Sequence, residues 1–265
     1  MLKVEGLAKS FQDQSHNDFN VISDITLDVK EGELLCVIGP SGCGKSTLLQ
    51  LMAGFIEPTS GQITVDDQLV KKPSSEIVLM FQDYALFPWL SVRNNVLFGL
   101  SASTKPNEEK NKQVDEYLAL VGLSDFADWQ PYRLSGGMQQ RVALARALIS
   151  KPRVLLMDEP FSSVDTQYRD FLRQSLVDLW QKTRTTIVFV THSITEAVCL
   201  GNRVVVLSRL PTTIKEIISI DLAYPRYRYG EPFVSQAQRL ETLVEKTNQD
   251  IIIKTLNNKE YDKVR

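Results

Sequence analysis

Nine consecutive residues constrain this chain more than any others: Gly39, Pro40, Ser41, Gly42, Cys43, Gly44, Lys45, Ser46 and Thr47. They match the pattern G-x-x-x-x-G-K-[ST] and stand between an apolar run, Leu34 to Ile38, and a helical segment, Ser46 to Ala53. The glycines let the backbone curl until successive N–H groups point inward, which makes a cradle for phosphate. The helix that follows adds unpaired N–H groups and the positive end of its dipole. Lys45 is spaced to reach the β- and γ-phosphates, and the Ser46 hydroxyl to hold Mg²⁺. Strand, loop and helix in this order point to a nucleoside triphosphate.

The rest of the chain reads as an α/β fold built around that loop. Residues 2–7 and 21–29 alternate as strands, with a polar hairpin from Gln12 to Asn17 that carries His16. Phe11 closes the first strand, where an aromatic either packs the hairpin or stacks on a base. Ile77 to Phe81, Val154 to Met157 and Thr185 to Val190 are apolar runs expected to be buried on both faces. Residues 84 to about 150 read as helical, including Glu108 to Val121 with Gly122 as its stop, and a helix capped by Ser135. Gly136 and Gly137 follow that cap and cost roughly 1 kcal/mol each against alanine. Such a first turn is either merely loose or adapted to the close approach of an anion.

Ligands of open α/β sheets sit beyond the carboxyl ends of the strands. Gln82 follows the first of the three apolar runs, Asp158 and Glu159 the second, and His192 the third. Any one of them alone is an ordinary loop residue. Together they place a residue able to meet metal or water, an acidic pair and an imidazole on one tier. Asp158 would support Mg²⁺ and Glu159 would polarise an attacking water.

Strands at 203–207 and 213–220 complete the sheet. From Asp221 the chain turns aromatic and basic, Tyr224 to Tyr229, before a helix over Gln236 to Thr247. That run either stacks bases or straps the body of the protein, and the net charge of −2 favours the strap and gives no reason to expect nucleic acid. Apolar residues make up 43% and charged ones 23%, so 265 residues are enough for one large domain and an appendage. Cys36, Cys43 and Cys199 make no disulfide framework, which favours a reducing compartment. No signal-peptide core is expected at the N-terminus, and no apolar run reaches the roughly 18 residues of a membrane span.

In the order and content of five elements the chain resembles the ATP-binding subunits of ABC transporters. These are the phosphate loop 39–47, Gln82, Leu134-Ser135-Gly136-Gly137-Met138-Gln139-Gln140-Arg141, Met157-Asp158-Glu159-Pro160 and His192. The resemblance spans about residues 1–220, with the helical subdomain inserted at about 84–150 and a tail at 221–265. It implies a P-loop core of mixed, largely parallel sheet, an N-terminal antiparallel β-subdomain and an inserted helical subdomain. It implies that Phe11 stacks on adenine, that Gly39 to Thr47 bind the phosphates, and that Ser46, Gln82 and Asp158 serve Mg²⁺. Glu159 would activate water and His192 hold the γ-phosphate, with Lys45 and Gln82 completing the catalytic set. Ser135, Gly136 and Gly137 would contact the nucleotide of a second copy, and Asp165 would lie at the contact between copies. Two copies would close head to tail over two ATP molecules.

Phe87 to Val96, Thr191 to Val198 and Arg203 to Ser208 are most similar to importer subunits for nitrate, sulfonates and taurine. The chain departs from that pattern after Leu210 and at Asn202. The resemblance implies a peripheral position on the cytoplasmic face of the membrane, separate permease subunits, and indirectly a substrate-binding protein. Tyr84 to Trp89 is either the groove for a permease helix or a core patch. A second function is a soluble ATPase of the same type in repair or translation, which the short insert and acidic balance disfavour.

Overall fold

The computed structural model describes residues 1–12, 17–82, 84–162 and 166–261. His16 and Asp165 therefore lie outside the described residues. The elements run β1 (Leu2–Gln12), β2 (Asp18–Val29), β3 (Leu34–Ile38), α1 (Lys45–Met52), β4 (Ser60–Val65), β5 (Gln68–Leu69) and β6 (Ile77–Met80). Then come α2 (Val92–Phe98), α3 (Asn107–Leu120), α4 (Gly136–Ile149), β7 (Val154–Asp158), α5 (Thr166–Thr183) and β8 (Thr186–Val190). The chain ends in α6 (Ile194–Leu200), β9 (Arg203–Leu207), β10 (Ile214–Ser219) and α7 (Glu231–Tyr261).

Two sheets form. One is antiparallel, in the order β2-β1-β4-β5; the other runs β10-β9-β3-β8-β7-β6, parallel except for its edge strand β10. The strands of the parallel sheet bury both faces because each side chain in turn enters a different core. Leu34, Cys36 and Ile38 of β3 pack with α4, α5 and α6, whereas Leu35 and Val37 face α1 and the antiparallel sheet. The same alternation divides β7 and β8, with Leu155, Met157, Ile187 and Phe189 on one side and Leu156, Val188 and Val190 on the other.

β6 departs from that expectation. It is the edge of the sheet, Val78 and Leu79 are half-buried, and Phe81 is 43% exposed. A continuous apolar run reads the same whether one neighbouring strand or two will cover it. The stretch 84–150 is likewise less helical than expected: residues 84–91 are irregular, and short 3₁₀ turns fill the connection between α3 and α4. Asn95 holds 87–91 in place, accepting from the Phe87 N–H and donating to the carbonyls of Phe87, Leu90 and Ser91. The helices α2, α3 and α4 share a cluster of their own through Val92, Val96, Val114, Leu118, Val142 and Ile149.

The tail straps the body. The Tyr224 hydroxyl donates to Leu200 O at 2.5 Å, and Arg226 donates to the carbonyls of Val198, Gly201, Ile220 and Leu222. α7 begins earlier than the 236 expected, at Glu231, because Pro232 fits a first helical turn, where its missing N–H costs nothing. Phe233, Ala237, Leu240 and Val244 lie at helical spacing and enter the core around α5 and α6.

Candidate active site

Parallel strands β3, β8, β7 and β6 are neighbours, so their carboxyl ends form one row. In register, Val37 pairs with Val190 and Val190 with Asp158, which brings the phosphate loop, His192 and the acidic pair to one edge. Gln82 ends the row beyond β6, exposed, two residues past Met80, which pairs with Met157.

The loop is shaped by glycines where nothing else fits. Gly44 has φ 91°, a left-handed conformation, and a Cβ there would lie 2.9 Å from Val21 Cγ1. A Cβ on Gly39 would lie 2.9 Å from Cys43 Sγ and 3.0 Å from Leu207 Cβ. Lys45, only 6% exposed, donates to the carbonyls of Gly39 and Pro40, both at 3.0 Å, and its ammonium lies 3.8 Å from Glu159 Oε1. The lysine is thus held against the loop by two of its carbonyls and by Glu159. Burial keeps the Cys43 thiol protonated, pushing its pKa up against the pull of Lys45.

Glu159 bridges two other groups. Its Oε2 lies 2.9 Å from Nδ1 of His192, while Oε1 faces Lys45. The backbone at Glu159 is left-handed, φ 43°, and its N–H donates to Val190 O at 3.0 Å, turning the side chain off the strand end toward the loop. His192 is 59% exposed, so one face of the ring stays open to solvent or a ligand. Asp158 hydrogen-bonds the Ser46 side chain, and burial raises its pKa despite that bond. A carboxylate and a hydroxyl in contact, with the carboxylate's charge under-solvated, suit a divalent cation. Among the described residues no group of three or more His, Cys, Asp or Glu could hold a metal ion. Magnesium accepts such a sparse protein set where phosphates supply the other ligands.

Two expected groups stand apart. Phe11 pairs with Phe19 at the hairpin end, two residues before the Val21 that abuts Gly44, and its ring is 40% exposed with the Lys9 ammonium 5.0 Å from its centroid. It lies on the strand pair whose Val21 abuts the loop. Ser135 caps α4 by accepting from Met138 N–H at 3.3 Å, and Ser135 and Gly136 are exposed. A Cβ at Gly136 would meet nothing within 4 Å. Gly137, one residue on, is half-buried, and a Cβ there would lie 3.8 Å from Leu172 Cδ1 of α5, so the open part of this helix tip is Ser135 and Gly136.

Sequence reasoning missed Thr212. It is fully buried, donates through its hydroxyl to Cys43 O and through its N–H to Val21 O, and so locks the back of the phosphate loop. It also missed Thr191, whose hydroxyl donates to the buried Glu196 at 2.5 Å and accepts from Ser193 N–H at 3.0 Å, fixing the turn that presents His192. A lone threonine after a strand carries no sequence signal of either role.

Comparison with known proteins follows the same geometry. Residues 22–162 match the family model described as ABC transporter. The chain is 44% identical over 255 residues to an uncharacterized ABC transporter ATP-binding protein of Methanocaldococcus jannaschii, covering 96% of this chain and 94% of that one. It is 45% identical over 213 residues to the taurine import ATP-binding protein TauB of Roseobacter denitrificans, covering 80% of each. Its fold matches the dimeric post-hydrolysis structure of an ATP-binding cassette bound to ADP and phosphate, at a TM-score of 0.72, 29% identity, 84% of this chain and all of that one. With the family model covering more than half the chain and a relative matched almost end to end, the chain belongs to the ABC transporter family as an ATP-binding cassette.

Proposed function

We propose that this chain is the ATP-hydrolysing subunit of an importer and energises uptake of a small anionic solute, of the nitrate, sulfonate or taurine kind, through separate permease subunits. The observation that carries the mechanism is the row Lys45, Glu159 and His192 at adjoining strand ends, with Ser46 and Asp158 beside it. ATP would displace Glu159 and the two carbonyls from Lys45 and lie over the loop N–H groups. Ser46, Asp158 and Gln82 would hold Mg²⁺, which neutralises phosphate charge when bound. Glu159, released from Lys45, would take a proton from water as it attacks, and His192, oriented by Thr191, would donate to the γ-phosphate.

The exposed tip of α4 supports a second copy. Ser135, Gly136 and Gly137 would close on the phosphates of the partner's nucleotide, and Phe11 would carry the adenine. A C2 pair completes both sites at once, so hydrolysis waits for closure.

Between β6, residues 84–87, Phe98 and α4 lies an apolar groove of about 370 Å³ that includes Phe81, Tyr84 and Phe87. It is the candidate seat for a helix of the permease, with a substrate-binding protein acting from the far side. No helix among the described residues is long and apolar enough to cross a membrane, so other chains would hold this one at the cytoplasmic face. The test is affinity purification from native membranes. Recovery of a polytopic partner supports the reading, and recovery with ribosomes or DNA in its place overturns it.

A further inference from the structure

On the side of the parallel sheet opposite α1, a cavity of about 160 Å³ is left where the strap, residues 221–230, crosses α5 and α6. Arg173 and Asp170 of α5, Cys199 of α6, and Tyr224, Arg226 and Arg228 of the strap line it. Three guanidinium groups and one carboxylate, Asp170, are among the residues that line it. Arg228 reaches both Asp170 oxygens through Nη1 alone, at 2.5 and 2.6 Å, and Arg173 shares the same carboxylate. The hydrogen bonds of Arg226 go to four backbone carbonyls, and its charge lies 4.1 Å over the Tyr224 ring, so no carboxylate neutralises it among the described residues. Glu196 stands 4.0 Å from Arg173 Nη1 while its other oxygen accepts from Thr191, so two carboxylates in all stand against the three guanidinium groups.

Arg173 is 8% exposed, Arg226 is half-buried and the Arg228 side chain is 36% exposed, so part of this charge is withdrawn from water, which is costly unless an anion accompanies it. All three arginines act on one spot: burial raises the pKa of the Cys199 thiol, and Arg173, Arg228 and Arg226 each pull it back. We propose that this cavity binds a small free oxyanion, held by Arg173 and Arg228 with Arg226 behind it, which ties the strap to α5 and α6. Guanidinium forks match the paired oxygens of such ions. The cavity is too small for a nucleotide. The site is linked to the reaction centre through Arg173, Glu196 and Thr191, the residue before His192. The proposal is independent of the transport reading.

The test uses the full chain with its phosphate loop filled by a magnesium complex of a non-hydrolysable ATP analogue, so that sulfate is excluded there. The rate of Cys199 alkylation is followed by peptide mass spectrometry as sodium sulfate replaces sodium chloride at constant ionic strength. Sulfate should slow the reaction saturably. Arg228→Gln should raise the half-effective sulfate concentration roughly tenfold, as expected for loss of a charge-assisted pair. Asp170→Asn, which removes the competing carboxylate, should lower it. Equal rates in sulfate and chloride overturn the proposal, as does a half-effective concentration unmoved by Arg228→Gln or raised by Asp170→Asn.

Discussion

Replacing Glu159 by Gln separates charge from shape at the centre of the site. Glutamine is isosteric, and the left-handed backbone at φ 43° is no harder for it than for glutamate, so the strand end should not move. What is lost is one negative charge 3.8 Å from the Lys45 ammonium and 2.9 Å from His192 Nδ1. At an effective dielectric of about 20 the lysine pair would be worth at most roughly 4 kcal/mol. Solvent at the partly exposed carboxylate, and the two carbonyls that also hold Lys45, reduce that to about 1 kcal/mol or less. The same change frees Lys45 for phosphate, so ATP affinity should stay within about fivefold of the parent, in the tighter direction. Loss of a general base should cut kcat by about 100- to 10,000-fold. Calorimetry with MgATP, steady-state phosphate release and size-exclusion chromatography read the three quantities, and a nucleotide-trapped dimer should accumulate. A variant that still turns over within about threefold of the parent would remove Glu159 from its role as base, whatever its affinity.

Gly136→Glu probes the helix tip. The site is open, a carboxylate in the first turn of α4 is favoured by the helix dipole, and glycine is a poor helix former, so thermal stability should hold or rise by up to about 1–2 kcal/mol. Hydrolysis and the trapped dimer should nonetheless fall about tenfold or more, because the new charge would face a phosphate; intact turnover refutes the shared site. Asp158→Asn tests the electrostatics of the cation seat. A carboxylate whose folded pKa is raised by burial loses stability as pH rises from its ordinary value of 3.8 through the folded value. The unliganded Asn variant should therefore unfold at higher urea than the parent above about pH 4, by a margin that widens with pH until Asp158 is fully ionised. A variant less stable than the parent at neutral pH contradicts a desolvated Asp158.

The linear order of residues by itself determined the phosphate loop, the strands that end in Asp158-Glu159 and His192, and the capped helix at Ser135. Each is a local signal: glycine positions that only one backbone path accepts, apolar runs, a side chain that caps its own helix. Tertiary structure decided what lies beside what. That β6 is an edge strand, that Thr212 reaches across to lock Cys43, and that Glu159 stands between Lys45 and His192 all depend on strand order, which joins residues from 33 to 169 positions apart. The aromatic, basic tail shows the division most sharply, since its composition allowed either bases or a strap. Only the placement of carbonyls at the ends of α6 and β10 told Tyr224 and Arg226 where to bind. Burial of a backbone group demands a partner, and the partner can be found only once the chain is folded around it.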